Sequence, residues 1–169
     1  AFFDCMAFDG ARGWLLGDPV GDRYQLYTTN DRGEHWTLDD NGPPALKDEA
    51  AFAASGTCIA RLKGATAVVS GGAASRLHLL RDGEHDWRAL DTGMARGKPA
   101  AGAFSVAAWR GGAFVVGGEN GWQMSFDGML NAFMVYSVTD RAPTGVDSIS
   151  SALTIGWSEA ERQNFRVRT

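Results

Sequence analysis

Two sets of residues in this chain have the types and spacing to do chemistry. The first is a turn, Thr29-Asn30-Asp31-Arg32-Gly33-Glu34-His35-Trp36. An aspartate near the start of a tight hairpin accepts amide hydrogens from inside the turn. Gly33 supplies a positive φ, and Trp36 anchors the turn on the sheet beneath it. Looser copies follow at Arg81-Asp82-Gly83-Glu84-His85-Asp86-Trp87 and at Ser125-Phe126-Asp127-Gly128-Met129. The second set lies in loops and links: Asp18, Asp22, Arg23, Lys47, Asp48, Glu49, Arg76, Arg96, Lys98, Glu119 and Asn120. Acids beside guanidinium groups hold carboxylates and hydroxyls by charge-assisted hydrogen bonds. As a set these residues are candidates for a polar binding face.

Other chemistries lack their residues. His35, His78 and His85 are scattered, so no metal site is expected. There is no Cys-x-x-Cys, and Gly117 to Gly121 lacks the strand and helix that a dinucleotide-binding glycine loop requires. No cofactor is expected, and nicotinamide or flavin redox chemistry is rejected.

The elements that must position these residues recur three times in the same order. Phe3, Phe52 and Phe104 open the units, 49 and 52 residues apart. Each unit has a strand ending in glycine: Trp14 to Gly17, Val68 to Gly71 and Phe114 to Gly117. A further strand and the Asp-turn follow. In Tyr24 to Thr29, Tyr24, Leu26 and Thr28 alternate with Gln25, Tyr27 and Thr29, the period-two pattern of a sheet. A period near 50 with about four strands per unit is the signature of β-propeller blades. The expected fold is therefore all-β: a propeller fragment of about three four-stranded antiparallel blades, near residues 1–40, 51–90 and 103–133. In the second unit, strands are expected over Ala51 to Ala60, Ala65 to Gly72, Arg76 to Leu80 and Trp87 to Leu90. In the third they are expected over Ala103 to Trp109, Ala113 to Gly118 and Gly121 to Phe126.

Residues 134–169 depart from this texture, with only two of the 22 glycines, and read as a divergent blade or an unrelated tail. Antiparallel alternation puts the loops between second and third strands, with the links between units, at one end of the blades. The Asp-turns fall at the other end. Three blades do not close a ring. The chain is expected to be a piece of a longer protein, an assembly with its own copies, or an open arc whose strand edges invite self-association.

The net charge is −4, from 16 basic and 20 acidic residues interspersed along the chain. No Lys/Arg-rich stripe suits nucleic acid. No long apolar run suits membrane insertion, and no signal peptide is visible. Cys5 and Cys58 read as two small buried hydrophobes, because equivalent positions in adjacent blades are usually too far apart for a disulfide.

The turn Thr29 to Trp36 resembles the Asp-box, or BNR repeat, of sialidase-like propellers, with His35 in place of the usual threonine. Gly17-Asp18-Pro19 and Ala51 to Thr57 look like bacterial propellers similar to photosystem II stability and assembly factors. The resemblance covers about residues 1–120. It implies a propeller that acts as a scaffold or binding module for a protein or glycan partner, outside the cytoplasm. It also implies that Asp31, Gly33, Trp36, Asp82, Trp87 and Asp127 are structural turn residues. The alternative it suggests is a fragment of a sialidase-type glycoside hydrolase, with arginines gripping the substrate, a Tyr nucleophile activated by Glu, and an Asp acid/base. The Phe/Tyr-Arg-Ile-Pro signature of such enzymes is absent, and Asp140-Arg141-Ala142-Pro143 reads as a turn. The expected role is accordingly non-catalytic.

Overall fold

The computed structural model describes residues 2–53, 56–109, 112–119, 133–139 and 148–155. The described residues hold fourteen strands and no α-helix. The first sheet is a simple antiparallel meander of β1 (Phe3–Asp9), β2 (Arg12–Val20), β3 (Arg23–Thr29) and β4 (Thr37–Asp39). Its alternation is the one the sequence predicts: Tyr24 and Leu26 are buried, while Gln25 and Tyr27 on the other face are half-exposed.

The second sheet repeats the meander with β6 (Ile59–Leu62), β7 (Ala65–Val69), β9 (Arg76–Arg81) and β10 (Arg88–Asp91). The third begins with β11 (Lys98–Trp109) and β12 (Gly112–Glu119) and continues through β13 (Phe133–Thr139) and β14 (Ser148–Ile155). Two short strands, β8 (Gly71–Gly72) and β5 (Glu49–Ala50), extend it on the β11 side, giving six strands. The strand expected over Gly121 to Phe126, Asn120 and the turn at Asp127 lie outside the described residues.

Two expected strands take a different course. The run Ala51 to Ala60 becomes a strand only from Ile59. The run Ala65 to Gly72 breaks at Ser70, so that β7 belongs to the second sheet and β8 to the third. The Ser70 amide still bonds the Arg76 carbonyl at 3.0 Å, the last bond in the β7–β9 register. Gly71 then passes so close to Gly102 that a Cβ on Gly71 would lie 2.6 Å from the Ala101 carbonyl oxygen. Only glycine permits that approach.

The first strands of the three sheets lie side by side. Cys5 on β1 and Cys58, just before β6, form a disulfide with Cα atoms 5.8 Å apart. This corrects the expectation of two unbridged buried cysteines. The two positions are register equivalents: Cys5 pairs with Leu16, and Cys58 accepts a 2.9 Å bond from the Val69 amide. Both sit where successive sheets converge, so the separation expected from stacked blades does not apply. The third sheet joins alongside, one residue out of that register, with Val106 N donating to the Thr57 carbonyl at 3.0 Å and the Thr57 and Ser105 hydroxyls 2.8 Å apart. A register shift follows Phe3 in β1 and Ala103 in β11, at equivalent places. One continuous apolar core, including Leu16, Leu26, Val68, Val69, Leu77 and Val115, runs between the sheets.

Candidate binding face

The loops and links expected to share an end do meet. In the link 40–48, the Pro43 carbonyl accepts from the Tyr24 amide at 2.9 Å, and the Ala45 amide donates to the Asp22 carbonyl at 2.7 Å. Arg23 reaches back to the Gly42 carbonyl at 2.8 Å. Arg76 ties the second sheet to the same link through the Pro44 carbonyl at 3.0 Å. The Ala73 amide bonds the Asp48 carbonyl at 2.9 Å, and the Gly97 amide bonds the Gly72 carbonyl at 2.7 Å. Asp22, Arg23, Asp48, Glu49, Arg76 and Lys98 are thereby gathered at one end of the sheets. The turns of Asp31 and Asp82 lie at the other, closed by Arg32 N to the Ala11 carbonyl and Asp82 N to the Gly64 carbonyl, both 2.9 Å.

Gathering is not the same as exposure. Glu49 is buried, and its carboxylate accepts from Arg76 Nε at 2.9 Å, from Arg76 Nη2, from the Ser70 hydroxyl and from the Leu46 amide at 2.8 Å. His78 Nε2 lies 3.4 Å away on the same oxygen as Ser70. Burial pushes the Glu49 carboxyl up, but the hydrogen bonds from His78, Arg76 and Ser70 outweigh it and hold it at about 2. Burial presses His78 toward its neutral form. The Tyr24 ring meets the His78 ring edge-on at 5.9 Å. Burial, reinforced by the Glu49 charge, drives the Tyr24 phenol far above its ordinary range. The hydroxyl of Tyr24 and Nδ1 of His78 are buried without a hydrogen-bond partner. Nearby, Asp4 is buried with an unpartnered Oδ2, and burial, with Asp18 adjacent, raises its carboxyl to about 6.

Three of the eleven candidates line one open feature. A cleft of about 520 Å³ is formed by Asp48, Glu49, Lys98 and the small residues Ala50, Gly72, Ala73 and Gly97, with Pro99 at its edge. Asp48 holds a φ of 61° there, an uncommon conformation for a non-glycine residue. Lys47 is exposed beside it. Arg96 lies outside the cleft, paired with Asp91. Asp18 is half-buried on β2. Glu119 ends β12, and Asn120 is beyond the described residues.

The turns behave as hydrogen-bonded units. Thr29 Oγ1 donates to Asp31 Oδ1 at 2.6 Å and accepts from Gly33 N at 3.1 Å, while His35 N donates to Asp31 Oδ1 at 3.0 Å. His35 Nδ1 completes the set on Asp31 Oδ2 at 2.7 Å. These bonds, the Thr29 hydroxyl first, hold the Asp31 carboxyl well below the usual range. Trp36 packs edge-on against Phe8, with ring centres 5.9 Å apart. The second turn is wired differently. Asp82 is held by Arg61, which also faces Asp9 at 3.8 Å and lies 5.5 Å over the Trp14 ring. Trp87 donates its indole N–H to the Asn41 carbonyl at 2.7 Å, and Asn41 donates to the His85 carbonyl at 2.7 Å. A cavity of about 390 Å³ lies at this end between the first two sheets, lined by Arg12, Trp14, Asn30, Asp82 and His85 among others. Among the described residues no group of three His, Cys, Asp or Glu is placed to hold a metal ion.

Sequence reasoning passed over Asp4 and Ser70 and set His78 aside with the other scattered histidines. Each interrupts an apolar run, in Phe3-Asp4-Cys5-Met6, Val69-Ser70-Gly71 and Leu77-His78-Leu79. A polar residue inside a buried strand needs a partner, and that interruption was the available signal. No family model matches this chain, and no curated protein matches it.

Proposed function

We propose that this chain is a non-catalytic scaffold of propeller blades, of the Asp-box type its turns resemble, and that its link end binds a protein or glycan partner. One observation carries the reading. The acid and guanidinium groups that hydrolysis would draw on, Glu49 and Arg76, are bonded to each other, with Glu49 buried and Arg76 half-buried beneath the link. The exposed polar groups beside them, Asp48 and Lys98, line an open cleft instead. Rigid sheets carrying convergent loops at one end suit recognition. The buried Cys5–Cys58 bridge supports an oxidising compartment.

The glycoside hydrolase alternative draws on Tyr24 and Glu49, since a tyrosine within the field of a glutamate is the pairing such an enzyme would use. Tyr24 is closed to solvent, which weighs against it. A fluorogenic sialoside assay run beside a glycan array and affinity capture separates the two. The scaffold reading expects no turnover, and binding that falls about tenfold, ~1.4 kcal/mol, in Asp48→Ala and Lys98→Ala. Turnover abolished by Tyr24→Phe or Glu49→Gln would overturn it.

A further inference from the structure

The first sheet carries an exposed apolar face whose equivalents on the first two strands of the next two sheets are covered. Met6, Leu15, Tyr27 and Leu38 pair in one line across its four strands. Phe8 lies on the same face over Gly13, and Phe3 lies over Gly17 with its ring 5.5 Å from Tyr27. The register equivalents in the second sheet are Ile59, Val68, His78 and Ala89. In the third they begin with Val106 and Val115. Met6 is 55 % exposed, whereas Ile59 and Val106 are 3 % exposed each. Leu15 and Tyr27 are half-buried, whereas Val68, His78 and Val115 are fully buried.

The cover in the second sheet is the first sheet itself. Tyr24 packs on His78, and Trp14 packs under Arg61. The second sheet meets the third along their first strands, through Thr57 on Val106 and Ser105. The contact is therefore directional: the Cys5–Leu16 and Ala7–Trp14 side of one sheet meets the Met6–Leu15 side of the next. At the far end of the row, the third sheet holds the equivalent pairs Ser105–Val116 and Ala107–Phe114, none of them charged. Aromatic residues and Met over a contiguous apolar patch are the composition of an interface core.

We propose that the open face of the first sheet is covered by the third sheet of a second copy of this chain, in the arrangement the first sheet uses to cover the second. The proposal rests on the equivalence of the sheets in the reading above and names a face, not a strand edge, as the site of self-association. Such a contact is heterologous, with each copy offering one of each surface, so assembly closes a ring or extends as a filament.

Light scattering on eluting fractions over a wide concentration series tests it, with Met6→Glu on one surface and Ala107→Glu on the other. Both positions are exposed, so both variants are expected to keep the wild-type circular dichroism. The wild type should assemble. Each variant alone should be monomeric, and an equimolar mixture should recover a dimer through the two undamaged surfaces. A wild type that is monomeric throughout overturns the proposal. So does an Ala107→Glu variant that assembles like wild type, which would mean that the Met6 face pairs with its own copy. Association that survives both variants overturns it as well. None of these outcomes bears on binding at Asp48 and Lys98, which lie in the link-end cleft.

Discussion

Asp4 places a carboxylate where the packing around it calls for an apolar side chain. Burial and the neighbouring Asp18 raise it to about 6, from an ordinary value of 3.8. The folded protein therefore takes up this proton at a higher pH than the unfolded chain does. Stability contributed at Asp4 rises as the pH falls from about 6 toward 3.8. Asp4→Asn removes the charge at nearly constant shape. It should stabilise the fold at pH 7.5 by on the order of 1 kcal/mol, a Tm rise of about 2–4 °C, and the gain should fade well below pH 6. Glu49 runs the other way. Its carboxyl is held at about 2 against an ordinary 4.5, so its contribution is complete above 4.5 and is lost as the pH drops toward 2. Glu49→Gln leaves the half-buried Arg76 without its counter-charge and should cost about 2–3 kcal/mol at neutral pH. That deficit relative to wild type should shrink below pH 4.5. Thermal melts across pH on the two variants check both signs. A flat difference at either position would remove the electrostatic account of this cluster.

At the scale of the elements, sheets are joined where their first strands converge. Cys58→Ser should cost about 2–5 kcal/mol in chemical denaturation and should make stability indifferent to reductant. Thr57→Cys with Ser105→Cys replaces hydroxyls 2.8 Å apart and should form a second bridge between the second and third sheets. A double variant that stays reduced under oxidising conditions would count against the side-by-side register. These elements also show how far the sequence could be read. Alternation in Tyr24 to Thr29 and the spacing from Asp31 to Trp36 are local, and local geometry follows them. The break at Ser70 is not local. Val68-Val69-Ser70-Gly71-Gly72 has the pattern of a single strand, and it ends early because Glu49, 21 residues away, takes the Ser70 hydroxyl. The pairing of Cys5 with Cys58 depends on the distance between sheets, which no period within a strand encodes. For the same reason Glu49 and Arg76, read as loop charges at the binding end, turn out to face each other under the link.

At the scale of the whole molecule, the first strands of successive sheets lie side by side, with Cys5 bonded to Cys58 and Thr57 against Ser105. Core polar groups are then drawn inward between the sheets, while Asp48 and Lys98 line the link-end cleft proposed for recognition and Met6 stays exposed on the face proposed for assembly. Both functional readings depend on this relation. It is tested most directly by peptide mapping of the unreduced chain, since the disulfide is the one covalent consequence of equivalent positions lying together. The account predicts that peptides containing Cys5 and Cys58 are recovered linked to each other within one chain, with neither thiol available to alkylation in the unreduced protein. Recovery of both cysteines as free thiols, or linked only between chains, would contradict it.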